Sequence, residues 1–304
     1  MMKAIVINKK GSLDNLEIID LPIPLINPGQ VLVKIKACGI NPVDWKGIVH
    51  SYFQMPFYIP GTDISGTVVN VGAAVTAFKI GDDVIGSLEW AKQGAFAEYV
   101  ATEEKYLAHK PKNLSFEEAA AVPLASLTAW QGLFDKLDLQ AGQKILIQAA
   151  AGGVGIFAVQ FAKWKGAYVV AVASEKNIAF LKLLGADEIL NYHTADFSTL
   201  SNDFDAVFDS MASAEQTCKL LKKDGRYVSI TAKPSAELAE RYGISATNFL
   251  FVSDAGQLGE IVKLIEQEKV KVFLDKVFPL TAVKEALAYQ QLGHSKGKNI
   301  LTVA

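Results

Sequence analysis

Residues 144–165, KILIQAAAGGVGIFAVQFAKWK, constrain the fold more than any other stretch of this chain. A β-branched run, KILIQA, meets a tight glycine turn, AAAGGVG (149–155), which opens into an apolar helix, VGIFAVQFAKWKG. A second β-rich run, AYVVAVA, follows, so strand, helix and strand form one parallel unit. Read as G-x-G-x-x-G, the turn has Ala150 in the first place, then Gly152 and Gly155, with Gly153 and Val154 between them. Gly152 would let the backbone approach a pyrophosphate and Gly155 would let helix and strand pack closely. The N–H groups at the helix start would face the phosphate charge. That reads as a dinucleotide site; the bland alternative is a glycine-rich turn that only eases packing.

The same region contains 18 residues without a charge, 145–162, which is the threshold length for a membrane span. Three glycines and two glutamines interrupt it, and a soluble strand-turn-helix accounts for it better. The chain has 304 residues, half of them apolar, enough for two cores. A net charge of -2 carries no basic excess, so neither nucleic acid nor an anionic membrane surface is expected as a partner. The chain opens directly on the strand-like MKAIVINK, and its two cysteines, Cys38 and Cys218, stand far apart. Both features fit a reduced, cytoplasmic setting.

The first third is β-rich: KAIVIN, VLVKIKA, GTVVNVG, DDVIGSL and FAEYVATE alternate between Pro-Gly, Gly-Asp and Asn-Pro turn signals, as in a partly open barrel. At SFEEAAAVPLASLTAWQGLFDKL, Ser115 precedes an acidic pair as a helix N-cap does. From there strands (KILIQA, AYVVAVA, EILNY, FDAVFDS, GRYVSI, NFLFV) alternate with helices, which predicts a doubly wound parallel sheet. The tail reads as helix (QLGEIVKLIEQEKV), strand (KVFLDKVFPL), helix (AVKEALAYQQL) and strand (KNILTVA).

Cofactor choice is read after AYVVAVA, at Ser174-Glu175-Lys176-Asn177. An acid there would accept from the 2′-hydroxyl of an NAD ribose, and Glu175 is the candidate. Ser174, however, looks like an N-cap that leaves Glu175 as a solvent-facing first-turn carboxylate. Ser174, Lys176, Tyr192 and His193 could instead surround a 2′-phosphate, which favours NADPH. The connection ACGINPVDWKG (37–47) raises the question of a metal, because it holds Cys38 and Asp44, yet Cys38 has no Cys or His within ten residues. No metal is expected.

CGINPVDWKG, PGTDISGTV, GDDVIG, GAFAEYV, AAAGGVG and LGADEILNY, in this order over essentially the whole chain, resemble the zinc-free medium-chain dehydrogenase/reductase family, nearest the quinone oxidoreductases and alkenal/enone reductases. The resemblance implies a GroES-like β-barrel domain (1–122), a Rossmann NADPH-binding domain (123–256) and a return segment completing the first domain (257–304). In the zinc enzymes of that superfamily a ligand cysteine stands where this chain has Asn41, and a ligand histidine where it has Thr62. VPLASLTAW lacks a third ligand, and the structural zinc lobe is missing. By the same resemblance Asn41 would lie against the nicotinamide and Thr128 near its ribose or phosphate. Ile230, Thr231, Phe251 and Val252 would line the pocket with backbone groups, and Lys298 would reach back to the cofactor.

Tyr52 matches a cleft tyrosine of the quinone oxidoreductase branch, whose hydroxyl could donate to a developing oxyanion. The plainer reading makes it one aromatic of an apolar wall. Asp44 is either catalytic or a residue that holds Asn41 and Trp45 through turn hydrogen bonds. The expected function is zinc-free, NADPH-dependent reduction of a small hydrophobic quinone or α,β-unsaturated carbonyl, in a chain that could form a homodimer. A non-catalytic NADPH-binding sensor or scaffold is the rival.

Overall fold

The computed structural model describes residues 1–9, 11–50, 58–89, 92 and 94–303. It separates the chain into two units, residues 1–127 with 253–304, and residues 128–252. In the first unit β1 (Met2–Ile7) and β2 (Leu16–Leu21) pair as an antiparallel ribbon. β3 (Gln30–Ile40), β4 (Asp63–Val71), β5 (Asp83–Ser87), β6 (Tyr99–Glu103) and β7 (Leu107–His109) build most of a seven-stranded sheet. The helices α1 (Pro42–Val49), α2 (Phe116–Ala120) and α3 (Pro123–Trp130) interrupt and follow it.

The second unit is one sheet of six parallel strands. They are β8 (Lys144–Ile147), β9 (Tyr168–Ala173), β10 (Glu188–Asn191), β11 (Phe204–Asp209), β12 (Leu221–Ser229) and β13 (Ser245–Asn248), with α4 (Gly155–Lys165) and α5 (Ile178–Leu183) among the crossovers. The spatial order β10-β9-β8-β11-β12-β13 reverses direction between β8 and β11. That is the doubly wound order 3-2-1-4-5-6, whose ligands bind beyond the carboxyl ends of the strands at the reversal. β9 is buried over Val169–Ala173, as a strand covered on both faces must be. Leu146, Val170, Val172, Val207 and Tyr227 form the core of this unit.

The chain returns to the first unit with the helix Ala255–Glu266, β14 (Leu274–Pro279), the helix Val283–Gln291 and β15 (Lys298–Thr302). These last strands complete the sheet in the order β14-β15-β3-β4-β5-β7, with β6 also paired to β3. The ribbon and this sheet share one core, including Ile5, Val33, Ile35, Ile64, Val84 and Leu301. β15 runs antiparallel to β3 with Asn299 opposite Ile40, and this register brings Lys298 beside Asn41.

Three local expectations change. ACGINPVDWKG is no loop: it is the end of β3, the N-cap Asn41 and the first turns of α1, with Pro42 at the first helical position, where its missing N–H costs nothing. The predicted helix after Ser115 does start there, with Ser115 Oγ accepting from Glu118 N at 3.2 Å and Glu118 returning to Ser115 N at 2.9 Å. α2 ends at Ala120, and a new helix starts on Pro123, which cannot sit in a helix interior. The sixth parallel strand is Ser245–Asn248 rather than NFLFV; Phe249 N still donates to Ser229 O at 3.2 Å, and at the end of the stretch the Val252 backbone is held by the Gln131 side chain. The uncharged stretch 145–162 is divided between β8 and α4, and no helix among the described residues is long and apolar enough to cross a membrane.

Candidate functional site

In the second unit the turn after β8 has the features a pyrophosphate needs. Ala149 takes a left-handed φ of 49°, and Gln148 N and Ala150 N extend the sheet by donating to Phe208 O and Val172 O. Gly155 is required by packing, since a Cβ on it would lie 2.3 Å from Ala149 O and 2.6 Å from Ala150 Cα. Gly152 differs: a Cβ there would meet only Ala149 O, at 3.3 Å, and otherwise open space. Among the described residues the N–H groups of Gly153 and Val154 have no partner. They precede an 11-residue helix, whose N-terminal dipole favours an anion. A cradle that one added side chain would fill, lined by N–H donors without acceptors, fits the diphosphate of a dinucleotide.

The residues expected around the adenosine end gather at the carboxyl ends of β9 and β10, which pair with Asn191 opposite Ala173. Ser174 caps a short 3-10 turn, but its hydroxyl caps no backbone group; it accepts from Asn177 Nδ2 at 3.3 Å. Glu175 and Lys176 are both exposed. Tyr192 is half exposed, and its ring lies 4.2 Å from that of His193. A cation, an imidazole and two hydroxyls thus follow the carboxyl ends of two neighbouring strands.

At the ends of β11 and β12, Ile230 N donates to Asp209 O at 3.1 Å and Thr231 N to Ser229 Oγ at 3.1 Å. Asp209, which no sequence signal had marked, accepts from Met211 N and Ser213 N at 2.7 Å each and from Tyr227 Oη. It is fully buried and shapes the loop beyond the strand. Phe251 is half-buried and Val252 exposed. Val252 does not present open backbone groups as expected: Gln131 Nε2 donates to its carbonyl at 2.8 Å and Gln131 Oε1 accepts its N–H at 2.9 Å. Thr128 is buried on α3.

In the first unit Asn41, Asp44, Asp63 and Lys298 converge, none more than 3% exposed. Asp44 Oδ2 accepts from Asn41 N at 2.7 Å, the acidic arm of a capping box. Asp44 Oδ1 has no partner among the described residues. Asn41 Nδ2 donates to Asp63 Oδ2 at 2.9 Å, and Leu124 N donates to Asp63 Oδ1 at 2.9 Å. Lys298 Nζ donates to Ile40 O at 2.9 Å and to Asn41 Oδ1, and stands 3.6 Å from Asp63 Oδ2. Lys298, expected to reach back to the cofactor, thus has its ammonium enclosed and directed at Asn41.

Burial pushes the Asp44 carboxyl up to about 7; the Asn41 N–H and Lys298 oppose that rise and the Asp63 charge adds to it. Burial likewise raises Asp63, against the pull of Lys298 and the Asn41 amide, and lowers Lys298. Cys38 is a buried thiol whose pKa is raised well above its ordinary value, first by burial and then by Asp44 and Asp63, and its Sγ donates to Ala95 O at 2.7 Å. Thr62 is fully buried. No group of three or more His, Cys, Asp or Glu suited to a metal occurs among the described residues. Tyr52 lies outside the described residues.

Residues 27–112 match the model of the alcohol dehydrogenase GroES-like domain, and residues 184–301 that of a zinc-binding dehydrogenase. The chain is 37% identical to a 2-methylene-furan-3-one reductase of Solanum lycopersicum, over 99% of this chain and 79% of that protein. It is 35% identical, with the same coverage, to a chloroplastic NADPH-dependent alkenal/one oxidoreductase of Arabidopsis thaliana. A solved quinone oxidoreductase from Coxiella burnetii superposes with a TM-score of 0.91 at 33% identity, covering 100% of this chain and 99% of that one. With a GroES-like unit, a six-stranded sheet of order 3-2-1-4-5-6 and these relatives along its whole length, the chain belongs to the medium-chain dehydrogenase/reductase family of oxidoreductases, beside its quinone and alkenal/one reductases.

Proposed function

We propose that the protein is an NADPH-dependent reductase of quinones or α,β-unsaturated carbonyls that uses no zinc. The observation that carries this reading is the turn at 149–155, where Gly152 faces open space and the N–H groups of Gly153 and Val154 await an acceptor. Ala150, Gly152, Gly153, Val154 and Gly155 would hold the diphosphate. Ser174, Lys176, Tyr192 and His193 would hold the 2′-phosphate, with Lys176 supplying a charge-assisted contact. Glu175 is exposed and turned into no network, which leaves the phosphate as the better match. Thr128, Ile230, Thr231, Phe251 and the Val252 side chain would meet the nicotinamide half. Bound there, the cofactor would supply hydride.

The chain's own part is to stabilise charge on the acceptor oxygen and to deliver a proton. A conjugated acceptor suits donors of this kind, because its negative charge gathers on an oxygen that a carboxamide or hydroxyl can meet. Asn41 is the carboxamide and Tyr52 the hydroxyl in this reading, with Asp44 holding the Asn41 backbone. Asn41, already bonded to Asp63 and Lys298, and the neutral Thr62 hydroxyl are poor zinc ligands beside thiolate and imidazole. A homodimer through the edge strand β13 belongs to the same reading, and sedimentation velocity tests it.

The test of function is the loss of reduced-cofactor absorbance when a panel of quinones and enones is added to protein and NADPH. Turnover of one class supports the proposal. Tight NADPH binding with no acceptor reduced would overturn it in favour of a sensor.

A further inference from the structure

The first unit buries more charge than a β-sheet core calls for. Asp63 and Lys298 stand 3.6 Å apart, 0% and 3% exposed. An ion pair this deep adds little net stability, because desolvating both charges offsets their attraction. What the pair does is visible in the residue it grips. The two ends of the Asn41 carboxamide meet opposite charges, Nδ2 donating to Asp63 and Oδ1 accepting from Lys298. A flipped amide would set its oxygen against a carboxylate and its NH2 against an ammonium, so one orientation is enforced. Asp63 is also bonded to Leu124 N, and Lys298 to Ile40 O, so neither charge is loose.

The cation has a second effect. An ammonium on the amide oxygen draws electron density from the nitrogen, and chained hydrogen bonds of this kind strengthen one another. One hydrogen of Nδ2 lies on Asp63; the other has no acceptor among the described residues. Asn41 is 2% exposed, so the remaining N–H is held in a single direction.

We propose that Asp63 and Lys298 are positioning residues that hold the Asn41 carboxamide as a fixed, polarised donor for the oxygen of the carbonyl or quinone being reduced. The claim rests on the reductase reading. Within it, the cation acts on the substrate oxygen through an amide.

The experiment compares the parent with Asp63→Asn, Lys298→Met and the double variant. Each single change leaves a buried charge unpaired and lowers the thermal midpoint; the double removes both charges and recovers most of it. In the double variant kcat for an enone or quinone falls about tenfold or more with little change in KM for the acceptor. Side-chain amide NMR with selectively labelled asparagine reads the device without turnover. The parent should show slowly exchanging, well-separated Asn41 Nδ2 hydrogens, and the double variant faster exchange. A double variant that regains both the midpoint and the parental kcat would overturn the proposal, as would Asn41 hydrogens in the parent exchanging at the rate of an open amide. Absence of turnover by the parent with every acceptor would sink the reductase reading instead, and the amide measurement would still decide whether Asn41 is held.

Discussion

The carboxamide of Gln131 takes both backbone polar groups of Val252, the carbonyl at 2.8 Å and the N–H at 2.9 Å. Thr128 begins the nucleotide unit and Val252 ends it, so this pair ties the point where the chain enters the sheet domain to the point where it leaves. The helix carrying Gln131 widens there into a π-type segment, Gln131–Lys136, and such segments cluster at functional sites. Gln131→Ala should lower the unfolding free energy by about 0.5–1.5 kcal/mol, the net worth of an ordinary hydrogen bond, because Val252 is exposed and water can reach its freed backbone groups. Hydrogen exchange at the Val252 amide should accelerate with it. Unchanged protection of that amide would show that residues 249–252 are held by other means.

How far such features can be read in advance depends on where their partners lie in the chain. β9 is legible because a strand covered on both faces is an unbroken apolar run, and the glycine turn is legible because its residues are contiguous. α1 escapes because Asn-Pro is both a turn signal and a helix start. NFLFV has the composition of a strand, but the sheet ends at Asn248. Asp63 and Gln131 give no local sign at all: their partners are 22 and 121 residues away. Lys298 can be named as a site residue, but its contact with Asn41 leaves no local sign because it spans 257 residues.

The two glycines of the turn should fail in different ways. Gly155→Ala places a Cβ 2.3 Å from Ala149 O, so the turn must shift, and the fold itself should lose about 1–3 kcal/mol. Gly152→Val meets no such wall and should fold. At NADPH 100-fold above its dissociation constant the parent gains about 2.7 kcal/mol, and Gly152→Val should gain none. A normal cofactor-induced rise in its melting temperature would mean the turn serves packing alone.

Preference between the two nicotinamide cofactors should follow Lys176 rather than Glu175. A charge-assisted hydrogen bond contributes about 1.5–3 kcal/mol, and because Lys176 is exposed the lower end applies, about tenfold in affinity. Lys176→Ala should weaken NADPH by that factor and leave NADH nearly unchanged, with Glu175→Ala altering neither. If titrations show Glu175→Ala selectively weakening NADH, and the parent binding NADH at least as tightly as NADPH, Glu175 holds the ribose and the assignment is reversed.

Asp44 gives the chain a pH dependence of definite sign. Its carboxyl, raised to about 7 chiefly by burial, binds its proton more tightly folded than unfolded. The stability this provides is complete below the unfolded value, about 4, and is lost as pH rises through about 7. Asp44→Asn keeps an acceptor for Asn41 N but cannot ionise, and it also relieves the repulsion that Asp44 exerts on Asp63, which acts in the same direction. The variant should therefore gain on the parent as pH rises from about 4 to about 7 and hold that gain above it, up to a bound of roughly 4 kcal/mol. Denaturant unfolding of both proteins across this range is the measurement. Parallel curves would mean that Asp44 titrates alike in the folded and unfolded chain, and that its unpartnered oxygen is solvated after all.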